Sequence, residues 1–86
     1  MAEYRIEIKK SAAKELGKIK GKNQERIIER IRSLAQNPRP AGAKKLSGEE
    51  KFRIRQGDYR ILYQIFDEII LVVVVKIGHR GDVYNK

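Results

Sequence analysis

The chain has 86 residues, with 20 lysines and arginines against 11 acids and a formal charge of +9. That length predicts one domain over residues 1–86, burying only about 60–65% of its unfolded surface, so a site belongs on a surface or in a shallow groove. With no cysteine and one histidine, disulfides and thiolate metal sites are excluded and a protein-built zinc site is disfavoured, while the charge points to a polyanionic partner held in a salt-sensitive way.

The opening "MAEYRIEIKK" has no apolar stretch of the signal-peptide kind. It alternates instead. Tyr4, Ile6 and Ile8 fall on one face and Glu3, Arg5 and Glu7 on the other, which predicts a half-buried strand. Ser11 is placed to cap a first helix, in which Ala12, Leu16 and Ile19 recur at helical spacing and which Gly21 can end. Asn23 can cap a second helix, with an apolar stripe of Ile27, Ile28, Ile31, Leu34 and Ala35. The "NPRP" of residues 37–40 stops it. The lysines and arginines of this helix pair read as a solvated outer surface.

"RPAGAKKLSGEE" reads as a loop. Three strand signals follow: "KFRIRQ" (51–56), "DYRILYQIF" (58–66) and "IILVVVVKI" (69–77). The last contains the longest apolar run, residues 69–75, too short to cross a bilayer. A soluble cytoplasmic protein with no membrane partner is the expectation. Gly57-Asp58 and Asp67-Glu68 are expected to turn two successive hairpins. Strands segregated from helices predict an α+β fold, with a helix hairpin packed on a four-stranded, mostly antiparallel sheet in the order β-α-α-β-β-β.

The first hairpin fixes a register. A turn at Gly57-Asp58 sets Gln56 opposite Tyr59, Ile54 opposite Ile61 and Phe52 opposite Tyr63, giving one apolar face for the helices to cover. The other face then carries Arg55 directly across from Arg60, with Arg53 beside them. Like charges in that relation destabilise a sheet, and an anion between them reverses the sign. Guanidinium forks suit phosphate oxygens. Charges also guard a strand edge, which accounts for Lys51, Arg53 and in part Arg55, but not for Arg60, which has strand signals on both sides. A turn at Asp67-Glu68 places Val75 opposite Arg60. Val73, Val75, Ile77 and His79 would then share the arginine face, above a floor of Leu62, Leu71 and Val73. Gly78 is a place where the strand can bend.

Taken together, "KKLSG", "FRIRQGDYRILYQI" and "IGHRGDVY" make the whole chain resemble the RelE branch of the RelE/ParE toxin superfamily. The resemblance implies the toxin of a type II toxin–antitoxin pair. Such a toxin is a metal-independent endoribonuclease without cofactor that cuts messenger RNA in the ribosomal A site. Its implied partners are the messenger, the ribosome and its RNA, and a RelB-like antitoxin, with no direct DNA binding by the toxin alone. Carried over position by position, Arg60, Arg80 and Tyr84 are the expected catalytic residues. His79 joins them at a position that is basic in several relatives. Arg53, Arg55, Lys51, Lys45 and Lys44 are the expected RNA-binding set. Some relatives carry lysines on strand two where this chain has Arg53 and Arg55, and an arginine does not give up its proton. Only two residues follow Tyr84, so no substantial C-terminal helix is expected.

Cleavage by RNA's own 2′-hydroxyl needs in-line geometry, proton transfer and stabilised phosphoryl charge; the arginines supply the last. His79 is the one side chain of a type that ordinarily titrates near neutrality. Two other functions suit the same chain: a ParE-like toxin acting on DNA gyrase, and a basic RNA- or ribosome-binding module without catalysis.

Overall fold

The computed structural model describes residues 3–46 and 51–79. Strand β1 (Arg5–Ile8) leads directly into helix α1 (Lys10–Lys18), and helix α2 (Lys22–Ser33) follows after a three-residue connection. Then come a short β2 (Lys44–Lys45) and three longer strands, β3 (Lys51–Gln56), β4 (Tyr59–Phe66) and β5 (Leu71–His79). They form one sheet in the order β1-β5-β4-β3-β2. Only β1 and β5 run parallel, and the two helices supply the crossover that a parallel return requires. The α+β class is as expected, with five strands rather than four. The extra one is made by Lys44 and Lys45 pairing with Arg53 and Phe52, and two residues are too few to leave an alternating signature.

Both helix starts differ from expectation. The residue before α1 is Lys9, extended and without a side-chain cap, so Ser11 lies inside the helix. The reason is the sheet: the Lys9 amide donates to the Val74 carbonyl at 2.9 Å, so the helix begins where the strand releases the chain. Helix α1 ends at Ile19, in extended conformation. Gly21, with φ of 70°, precedes α2 and makes the sharp reversal there, which leaves Asn23 within the first turn. The Gln24 amide donates to the Leu16 carbonyl at 3.1 Å and ties the end of α1 to the start of α2.

The helices cover one sheet face and leave the other open. Ala12, Ile27, Ile31 and Leu34 meet Ile54, Ile61, Val72, Val74 and Ile77 in the core. Each valine, leucine or isoleucine side chain buried this way contributes about 1.5–3 kcal/mol. Tyr63 is fully buried among them, and its hydroxyl donates to the Pro38 carbonyl at 2.7 Å. Burial pushes its phenol up to about 12. This one bond anchors the segment between α2 and β2 beneath the sheet.

At the far end, three segments are joined by charge. Asp67 accepts two guanidinium hydrogen bonds from Arg39, at 3.2 and 2.8 Å, and one from the Tyr4 hydroxyl at 2.7 Å. Arg39 first, and Tyr4 second, hold the Asp67 carboxyl below the usual carboxylate range. Arg39 also lies over the Phe52 ring, 5.5 Å from its centroid.

Candidate functional site

The β3–β4 hairpin has the expected register. Gly57, at φ of 60°, takes the first turn position. Gln56 faces Tyr59, Arg55 faces Arg60, Ile54 faces Ile61, Arg53 faces Leu62, Phe52 faces Tyr63 and Lys51 faces Gln64. Continued across the sheet, this register lays transverse rows on the open face. One row runs Lys44, Arg53, Leu62, Lys76. The next runs Arg55, Arg60, Gly78. A third runs Lys51, Gln64, Val73, Glu7. Leu62, Leu71 and Val73 are half-buried between the charged residues, an apolar floor with cations around it. Glu7 is at the far edge and already paired with Arg5 at 3.0 Å.

Arg60 is 6% exposed, whereas Arg55 opposite it is solvent-accessible. A guanidinium held this deep keeps its charge, so the pair presents a permanent concentration of positive potential. On the other side of Arg60 the ladder partner is Gly78, itself buried and without a side chain. At the hairpin tip, Arg55, Gly57, Asp58, Tyr59 and Arg60 line a cavity of about 100 Å³.

The β4–β5 connection departs from the sequence reading, and the departure relocates His79. Asp67–Ile69 form a turn of 3₁₀ helix and Ile70 is left-handed, so β5 begins at Leu71, opposite Phe66. This lengthens the turn by two residues and preserves the phase, which is why Val73 is on the arginine face as expected. Between Leu62 and Tyr63 the register then slips by one residue, because Val75 bulges out of the ladder. Beyond the bulge the phase is inverted. Ile77 joins the core at 1% exposure, Gly78 rather than Val75 faces Arg60, and His79 faces Tyr59. His79 is therefore at the expected end of the sheet but on the opposite side from the arginines, its ring edge-on to Tyr59 with centroids 5.4 Å apart.

The same slip delivers Lys76 to the open face opposite Leu62, a cation the sequence reading missed. A signal was available. An unbroken strand would place Lys76 in line with the buried Val72 and Val74, and burying a lysine there demands a change of phase. Of the two loop lysines, Lys44 joins the arginine face opposite Arg53, while Lys45 pairs with Phe52 and takes the opposite side. Arg80 and Tyr84 lie outside the described residues.

The open face thus collects Lys44, Lys51, Arg53, Arg55, Arg60 and Lys76. Such a surface can neutralise several phosphates and concentrate donors on one phosphoryl group. Among the described residues, no group of three or more histidines, cysteines or acids stands close enough to hold a metal ion, and no helix is long and apolar enough to cross a membrane.

Comparison with known proteins agrees with this architecture. Residues 6–84 match the family described as the ParE toxin of type II toxin–antitoxin systems. The mRNA interferase toxin RelE of Escherichia coli strain K12 is 30% identical over 88 residues, covering 96% of this chain and 92% of that one. A putative RelE-like toxin of Escherichia coli is 29% identical over 86 residues, covering 95% and 90%. Among solved structures, the toxin–antitoxin complex RelBE2 of Mycobacterium tuberculosis superposes with a TM-score of 0.82 at 30% identity, covering 95% of this chain and 97% of that one. The archaeal RelE–RelB complex of Pyrococcus horikoshii does so at 0.82 and 28%, covering 91% and 96%. With its fold and nearly its whole length matched, the chain belongs to the RelE/ParE superfamily of type II toxin–antitoxin toxins, as a RelE-type member.

Proposed function

We propose that this chain, acting as one toxin domain over residues 1–86, is a ribosome-dependent endoribonuclease that cuts messenger RNA in the A site. The observation that carries the proposal is the Arg55–Arg60 pair, with Arg60 6% exposed, at the centre of a basic sheet face. Proteins named mRNA interferase RelE support the same reading. In this proposal Arg60 and Arg80 bind the scissile phosphate, and Lys44, Lys51, Arg53, Arg55 and Lys76 track the flanking backbone. The 2′-oxygen attacks phosphorus as the bond to the 5′-oxygen breaks, and the arginines stabilise charge on the non-bridging oxygens. Tyr84 acts in proton transfer or stacks on a base. His79, on the Tyr59 side, modulates from the rim; Lys45 contacts RNA from that side too. Orientation of the message comes from the ribosome. No metal takes part.

The partner proposed is a RelB-like antitoxin, supported by the complexes in which RelE-type relatives were solved. An acidic or amphipathic segment of it would complement the basic face. The site of action is the cytoplasm.

The experiment adds purified chain to a translation extract and maps cleavage of the message by primer extension on programmed ribosomes. Cleavage lost in Arg60→Gln, and separately in Arg80→Ala and Tyr84→Phe, is the expected result. The ParE description of the matching family favours a second reading, action on DNA gyrase. Inhibition of gyrase supercoiling with no effect on translation would select it.

A further inference from the structure

The helix-covered side of the molecule carries its own basic groove. Arg26 and Arg30, one helical turn apart on α2, line it together with Glu29, Ser33 and Gln56, the last residue of β3. Its volume is about 390 Å³ and it is open to solvent. Gln56 pairs with Tyr59 on the side away from Arg55 and Arg60, so this groove is separate from the open face and meets it only at the hairpin tip. Among the described residues neither arginine forms an ion pair; the salt bridges are Arg5–Glu7, Lys18–Glu15 and Arg39–Asp67. Side chains four apart on a helix stand about 5–6 Å from each other, so the two guanidinium groups can engage successive backbone phosphates.

The rest of the lining is just as specific in its chemistry. Every lining residue is polar, with none of the apolar or aromatic anchors a protein partner needs at the centre of an interface. Glu29 is an acceptor only. The Ser33 hydroxyl donates its proton to the Arg30 carbonyl at 2.6 Å, so its oxygen is presented outward as an acceptor. Gln56 adds an amide carbonyl. Acceptors beside phosphate-binding cations suit ribose 2′-hydroxyls, the group by which a protein tells RNA from DNA. We propose that the α2 groove is a second RNA-binding site, in which Arg26 and Arg30 hold backbone phosphates and Glu29, Ser33 and Gln56 accept from 2′-hydroxyls. The groove binds RNA whether or not the open face cuts it.

The test measures binding of the full chain to a short RNA hairpin, to its DNA counterpart and to polyglutamate, by anisotropy across a salt series. Arg26→Gln/Arg30→Gln should weaken RNA binding at least about tenfold, and flatten the salt dependence by about one for each phosphate left without its arginine. Glu29→Gln, which turns one acceptor-only group into a partial donor, should narrow the preference for RNA over DNA. Because Arg26 is exposed, Arg26→Gln alone should give about half the change in slope with an unaltered melting curve. RNA affinity and slope unchanged in both arginine variants would overturn the proposal, as would loss of polyglutamate binding with RNA binding intact. Arg53→Gln/Arg55→Gln reports on the open face separately. If that variant binds RNA like the parent while the α2 variant does not, the RNA-binding role given to Arg53 and Arg55 fails and the groove stands.

Discussion

Arg55 and Arg60 stand directly across from each other in adjacent antiparallel strands, one exposed and the other 6% exposed. Like charges in that position oppose the pairing that holds them. Arg55→Gln should therefore stabilise the protein by about 0.2–1 kcal/mol while lowering RNA cleavage. Sulfate, at ionic strength matched with chloride, should raise the melting temperature of the parent more than that of Arg55→Gln. Thermal melts in the two salts, beside a cleavage assay, check both halves.

Lys76 reaches the same face through the Val75 bulge. Removing its charge should weaken RNA binding for all sequences alike. For Lys76→Gln the slope of log affinity against log salt should fall by about 0.7, the amount for one phosphate of a single strand. Retention of the parent's slope would show that the lysine stays out of the interface.

Tyr63→Phe should cost about 1–3 kcal/mol, because the buried Pro38 carbonyl loses the hydroxyl that satisfies it at 2.7 Å. Urea denaturation measures the loss. In the parent, burial holds the phenol up at about 12 in the folded state, above its ordinary value of 10.0. The stabilisation linked to it is complete below about pH 10 and is lost as pH rises from there through the raised value. Tyr4 is also raised, first by its hydrogen bond to Asp67, so absorbance titration should show a late-ionising component that shrinks, without vanishing, in Tyr63→Phe.

Asp67 behaves in the opposite sense. Its carboxyl is held below its ordinary value of 3.8 by Arg39 and then Tyr4. Its contribution is present above about pH 4 and disappears as pH falls through the lowered value. Asp67→Asn should flatten the acid limb of the stability curve, with a smaller effect at neutrality than Tyr63→Phe, since exposed pairs are worth little. Added salt should shrink the difference between Asp67→Asn and parent; melts from acid to neutral pH, in low and in high salt, would reveal it.

Ile70 is a β-branched residue at φ of 53°, in the left-handed region. Strain of this kind costs of order 1–3 kcal/mol. Ile70→Gly should recover about 1 kcal/mol of it, after the loss of a side chain that is already 38% exposed. Denaturant midpoints of parent and variant decide the sign.

Much of the fold is legible in the residues themselves. Gly57-Asp58 between two alternating runs dictates the first hairpin, and with it the placement of Arg53, Arg55 and Arg60. The stripe of Ile27, Ile31 and Leu34 likewise dictates which side of α2 is buried. What escapes does so for local reasons. Helix α1 starts where the Lys9 amide meets Val74, sixty-five residues away in sequence, so no capping side chain announces it. Strand β2 is two residues long. The bulge lies inside a run of valines that satisfies either phase, and only Lys76 betrays it. The α2 arginines read as an ordinary solvated surface, because only the folded sheet brings Gln56 beside them.

The Val75 bulge has a consequence for how such a surface changes over time. A strand is a two-letter code of inside and outside, and one extra residue exchanges the letters for everything downstream. Lys76, Ile77 and His79 owe their sides of the sheet to an unpaired neighbour rather than to their own substitution. Gaining or losing that single residue would rewrite several surface positions at one stroke, with each side chain unaltered. Aligned by residue count alone, two toxins differing at this point would look as though their charges had moved, when one of them had merely changed step.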